Sequence, residues 1–135
     1  MEQNDEGFLF PIIDDKSCDN CGLCQKICPL NKSQIERSGE PEIPEAFAVI
    51  NKNLEIRLQS SSGGIFTLLA EYIISGGGVV FGAKFNENWE VIHDNTETID
   101  GLEAFRGSKY VQSTIGDSYK NVRKFLENER KVLFT

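Results

Sequence analysis

All four cysteines of this 135-residue chain lie within eleven positions, at Cys18, Cys21, Cys24 and Cys28. The local run is Cys18-Asp-Asn-Cys21-Gly-Leu-Cys24-Gln-Lys-Ile-Cys28-Pro29. A disulfide framework spreads its cysteines so that they staple distant loops, and this cluster does not. A structural zinc site usually pairs two C-x2-C knuckles a dozen or more residues apart. Here the third and fourth cysteines follow at once. Two residues between thiolates let one loop wrap three corners of an iron–sulfur cube. Gly22 lets the backbone come close to such a cube, and Pro29 fixes the chain direction after the fourth thiol.

The spacing C-x2-C-x2-C-x3-C-P is that of the bacterial ferredoxin run for 4Fe–4S clusters. In two-cluster ferredoxins the fourth cysteine serves the other cluster. Cys18, Cys21 and Cys24 then hold one cluster by three corners, and Cys28 serves a second whose own run is absent. The expectation is a chain that lacks an N-terminal half-ferredoxin.

Two further segments have the residue types for an anionic cofactor. Ser61-Ser62-Gly63-Gly64 stands ahead of a helical apolar pattern. Backbone N–H groups at a helix start, glycines and hydroxyl donors together suit a phosphate. A plain capped helix explains the same residues. The segment is neither a G-x-G-x-x-G fingerprint nor a P-loop, because no Lys follows the glycines. Arg106-Gly107-Ser108-Lys109-Tyr110 puts two cations, two small residues and an aromatic in one loop. It suits phosphate pairing and ring stacking, and equally a solvated charged loop. His93, the only histidine, reads as a structural residue on an alternating strand, and no Ser–His–Asp set stands out.

The elements that must position these residues follow from pattern. Residues 7–14 predict a short strand broken by Pro11. Residues 33–45, with Gly39, Pro41 and Pro44, predict a linker. Ala46–Ile50 and Leu54–Leu58 predict a hairpin about Asn51-Lys52-Asn53, because Leu54, Ile56 and Leu58 alternate with charges. Ile65, Leu68, Leu69, Tyr72 and Ile73 predict the inner face of a serine-capped helix, stopped by Gly76-Gly77-Gly78. Val79–Phe85 predicts a strand, Asn86–Asn88 a turn, and Trp89, Val91 and His93 the next strand. Residues 98–105 predict a short helix. Thr114, with Asp117 as partner, predicts the cap of a last helix with Ile115, Tyr119, Val122 and Leu126 inward. Lys131–Thr135 begins an apolar strand, and its abrupt stop predicts a chain cut short there too.

Composition sets outer bounds. Apolar residues make up 39% and charged residues 26% of the chain, which is ordinary for a folded domain. The net charge of −7 disfavours general nucleic-acid binding. The segment 101–135 nevertheless holds seven bases against four acids, so it could meet an anionic ligand. No apolar run reaches a membrane-span length, and Met1–Gly7 has no basic, apolar leader, so the expected location is cytoplasmic.

The cysteine run, Ser61–Thr67, Gly78–Ala83 and Arg106–Ser113 in this order resemble the beta subunit family of coenzyme F-420 hydrogenases and dehydrogenases. The resemblance spans Gly7 to Thr135. It implies an iron–sulfur flavoprotein that passes electrons between a 4Fe–4S cluster, FAD and a redox partner protein or small-molecule acceptor such as the deazaflavin coenzyme F-420. Family members usually have two cysteine runs and continue past the strand at Thr135 into a larger domain. The expected fold class is α+β: half of a ferredoxin-like domain over 1–32, then a mixed α/β domain over 46–135 with a small sheet and two or three helices. Cys18, Cys21, Cys24 and Cys28 are the expected metal ligands. Ser61, Ser62, Gly63, Gly64, Gly107, Ser108, Lys109 and Tyr110 are the expected cofactor contacts. The alternatives are a flavin-free electron carrier and an inactive fragment with a structural metal.

Overall fold

The computed structural model describes residues 1–28 and 43–135, and the chain divides into two compact units, Met1–Phe47 and Ala48–Thr135. The fold is α+β. The expected linker over 33–45 and Pro29 lie wholly or mostly outside the described residues. Among the described residues no helix is long and apolar enough to cross a membrane.

In the first unit, β1 (Glu2–Gln3) pairs antiparallel with β2 (Leu9–Phe10). The Asn4 carboxamide oxygen accepts the N–H groups of Glu6 and Phe8 and shapes the turn between them. The expected strand over 7–14 is thus two residues long and ends at Pro11, which has no N–H for a ladder. Helix α1 (Leu23–Ile27) follows the first two cysteines and contains the third, Cys24. No described residue of this unit is buried. Phe8, Phe10, Ile12, Ile13, Leu23 and Ile27 are all exposed.

The second unit is built on β3 (Val79–Phe85). It lies between β4 (Val91–Thr96), which runs antiparallel, and β5 (Val132–Phe134), which runs parallel. The registers are Val80↔Thr96 through Phe85↔Val91 on one side and Val79↔Val132 through Phe81↔Phe134 on the other. Successive side chains of a strand point to opposite faces. Val80 and Leu133 pack with Ala70, Phe66, Ile73 and Ile74 of α3 (Ile65–Ser75) and with Leu102 of the 3₁₀ helix Asp100–Phe105. Phe81 turns the other way. Its ring meets Phe134, stacked at 5.9 Å, and Phe125 of α4 (Ser118–Glu127), edge-on at 6.0 Å. A central strand covered on both faces reads as a continuous apolar run, which Val79-Val80-Phe81 does.

Several expectations about this unit are corrected. No strand forms over Ala46–Ile50, and Leu54–Leu58 is helix α2, not the second arm of a hairpin. The Asn53 side chain accepts the N–H groups of Glu55 and Ile56 and caps the helix, so a local hydrogen bond outweighs a five-residue alternation. Helix α3 starts at Gly64 in the left-handed region, with no serine cap. It buries Thr67 and Ala70 with Phe66, Ile73 and Ile74 alongside, while Leu68, Leu69 and Tyr72 are exposed. Thr114 caps nothing. It bridges Ile92 beside β4, and α4 begins at Ser118 with Asp117 preceding it. Ser118 is buried and Phe125 meets Phe81, whereas Tyr119 and Leu126 are exposed. Strand β4 begins at Val91, and Trp89 sits in the turn before it at φ 62°.

Two expected outcomes follow. Phe81→Ala removes a fully buried ring from between two others, and urea unfolding should show a loss of about 3–5 kcal/mol. The second concerns Asp94, bonded to Lys84 at 2.6 Å across β3 and β4. Burial opposes its ionisation, but the Lys84 hydrogen bond, the Asn95 N–H and the Lys84 charge outweigh it and hold the carboxyl below 3.8. The pair's stabilisation is therefore complete above the ordinary carboxylate value and is lost as pH falls through the lowered one. Denaturation curves from pH 7 to pH 2 should show less acid-induced loss in Asp94→Asn than in the parent chain.

Candidate functional site

The thiol run begins at a tight turn. Ser17 N–H donates to the Asp14 carbonyl at 3.0 Å, and the Asp14 carboxylate accepts Lys16 N–H and the Ser17 hydroxyl. These bonds, the Ser17 hydroxyl first, hold the Asp14 carboxyl below its usual value. Between the first two cysteines, Asp19 accepts the Cys21 N–H at 3.1 Å, and Cys21's thiol and N–H lower its pKa in turn. Asn20 and Gly22, on either side of Cys21, both sit at positive φ, at 55° and 68°. A Cβ at Gly22 would meet nothing within 4 Å, so its backbone angle, not crowding, asks for glycine there. Cys24 lies in α1 and Cys28 at its C-terminal cap.

All four thiols are free. Three are exposed and Cys28 is half-buried. Four free thiols are the right donor chemistry for iron or zinc. Among the described residues, however, no three His, Cys, Asp or Glu side chains are gathered closely enough to hold one metal ion. The donor set has the right chemistry for a cluster, and no three of the thiols are gathered round one point.

The two expected cofactor loops meet. Ser61 Oγ and Ser108 Oγ are 3.3 Å apart across 47 residues of sequence. The first loop is held from behind by Asn51, which is 6% exposed. Asn51 N–H donates to the Gly63 carbonyl at 2.7 Å, its Nδ2 donates to the Gly64 carbonyl at 3.2 Å, and its Oδ1 accepts Asn53 N–H at 2.9 Å. This clamp explains the glycines more directly than an approaching phosphate does. A Cβ on Gly63 would lie 2.7 Å from the Val49 carbonyl oxygen. Gly64, at φ 74°, faces the Asn51 side chain. Ser62 is exposed beside them.

The two cations of the second loop are used differently: Arg106 reaches the residues that flank the first loop, and Lys109 does not. Arg106 Nε donates to Thr67 Oγ1 at 3.3 Å, and its Nη1 donates to Gln59 Oε1 at 2.7 Å. Lys109 Nζ turns back on its own loop and donates to the carbonyls of Arg106, at 2.9 Å, and Ala104, at 3.3 Å. Burial pulls the Lys109 pKa below 10.5. Gly107 and Ser108 are exposed between the cations, and Tyr110 is 94% exposed, its ring open to a stacking partner. Read from sequence, Asn51 is a turn residue, and Asn51, Gln59 and Thr67 are given no role at the site.

His93 has a partner on each ring nitrogen. Its Nε2 faces the Thr135 carbonyl at 3.0 Å, which only accepts, so Nε2 donates and Nδ1 accepts the Ser113 hydroxyl at 2.6 Å. Its ring stacks on Phe134 at 5.1 Å.

No family model, curated protein or solved structure matches the chain. The clamp makes its own forecast. Asn51→Ala leaves the Gly64 carbonyl without its side-chain donor, and chemical denaturation should show a loss of about 1–3 kcal/mol. Exchange of the 61–65 amides should rise with it, ahead of those of β3.

Proposed function

We propose that this chain is the iron–sulfur and flavin-binding portion of an oxidoreductase of the coenzyme F-420 hydrogenase/dehydrogenase beta subunit type. The observation that carries the reading is the C-x2-C-x2-C-x3-C-P run, with all four thiols free, in a unit with no buried described residue. Such a unit has little hydrophobic gain to offset its conformational entropy, and a bound metal centre supplies that kind of deficit. The meeting of Ser61 with Ser108 supports the flavin half of the reading.

When bound, an iron–sulfur cluster carries single electrons and a flavin couples them to two-electron chemistry. In this proposal Cys18, Cys21, Cys24 and Cys28 supply thiolates to iron. Asp19, Asn20 and Gly22 shape the loop on which the first two cysteines stand. Ser61, Ser62, Gly63 and Gly64 present hydroxyl and N–H donors, and Gly107, Ser108 and Tyr110 face them as the second wall. Lys109 fixes that wall by bonding its carbonyls. The electron partner is a redox protein or a small-molecule acceptor, and the proposed location is cytoplasmic.

Anaerobic reconstitution with iron and sulfide, followed by assay of iron, acid-labile sulfide, zinc and FAD per chain, tests this. The expected result is iron with labile sulfide, lost in Cys21→Ser and Cys24→Ser, together with bound FAD. Iron and sulfide without flavin would leave only an electron carrier. Zinc without sulfide would replace the redox reading with a structural one.

A further inference from the structure

The described residues form four ion pairs: Lys84–Asp94, Lys120–Asp117, Arg123–Glu127 and Arg130–Glu97. Arg106 is in none of them. The contrast with Arg130 in the same unit is direct. Arg130 donates to the carbonyls of Gly77 and Gly78 and also reaches a carboxylate, Glu97, at 2.8 Å. Arg106 is likewise half-buried, yet among the described residues its guanidinium bonds only two neutral oxygens, Thr67 Oγ1 and Gln59 Oε1. A guanidinium carries five N–H donors, so three are left over. No acidic residue occupies the first turn of α3, where Thr67 stands. The other cation of the loop, Lys109, is spent on the carbonyls of Ala104 and Arg106.

We infer that Arg106 is the residue that binds the phosphate of the ligand, so that the site selects a phosphorylated flavin over its unphosphorylated parent. The inference rests on the flavin reading proposed above. Thr67 and Gln59 orient the guanidinium plane, and the remaining N–H groups form the planar fork that matches a phosphate. Lys109 acts differently. It holds the loop's shape and makes no contact with the ligand.

The test is equilibrium titration of the 135-residue chain with FMN and with riboflavin, which differ by the phosphate alone. The parent chain should bind FMN at least tenfold more tightly, as charge-assisted hydrogen bonds to a phosphate imply. Arg106→Gln should lose that advantage, weakening FMN at least tenfold more than riboflavin. FMN binding should also weaken less with added salt in this variant than in the parent. Lys109→Gln should weaken both ligands by the same factor. If Arg106→Gln weakens both ligands equally, Arg106 only positions the loop and the inference is overturned; no change in either ligand overturns it as well. If Arg106→Gln does not fold, Arg106→Lys, which keeps the charge and loses the fork, should still show the FMN-selective loss. If FAD, FMN and riboflavin all fail to bind the parent chain, the flavin reading fails first. Pyrophosphate titration then decides the phosphate site: binding that Arg106→Gln abolishes supports it, and no binding overturns it.

Discussion

Burial of one strand on both faces is the constraint on which the second unit depends. Val79, Val80 and Phe81 lose all contact with solvent. Val80 commits one face to α3 and the 3₁₀ helix, and Phe81 commits the other to α4. Gly82 extends the same logic. A Cβ there would lie 3.1 Å from the Phe105 ring, so the absence of a side chain lets Phe105 close over the strand. Phe105 is followed at once by Arg106. The loop that meets Ser61 is thus delivered by the 3₁₀ helix that the core holds.

The loop ahead of α3 is placed by a different device. Its position depends on a buried amide, Asn51, and on close backbone contact between Gly63 and Val49. Burying a polar side chain is costly unless its donors and acceptors are used, and Asn51 uses both ends of its amide. The glycines are therefore accounted for by packing. The functional argument for this loop rests instead on what lies opposite it, namely Ser108 and an arginine that no described carboxylate neutralises.

What was legible in the sequence follows from physical range. The apolar run of β3, the glycine stop after α3 and the Asn86–Asn88 turn are local signals, and all three appear in the structure. The 54–58 segment misled because three alternating apolar residues fit a strand, while one asparagine cap decided for helix. Helix α3 misled because apolar residues lie nearly all round it, so its own pattern could not say which stripe the sheet would cover. Thr114 reads as a cap only until β4 takes its backbone into a bridge. The division of labour between Arg106 and Lys109 was out of reach, since it depends on Thr67 and Gln59, some 40 residues away in the chain. For the cysteines the spacing is legible in the sequence, and among the described residues no three of them gather round one point.

Under the proposed function the first unit, none of whose described residues is buried, takes its order from a metal cluster. Amide hydrogen exchange across residues 1–28, before and after anaerobic loading with iron and sulfide, tests this most directly. The predicted result is fast exchange in the unloaded chain and strong new protection centred on 18–28 after loading, with β3 unchanged. Equal exchange in both states, with iron and sulfide retained by the chain, would contradict it.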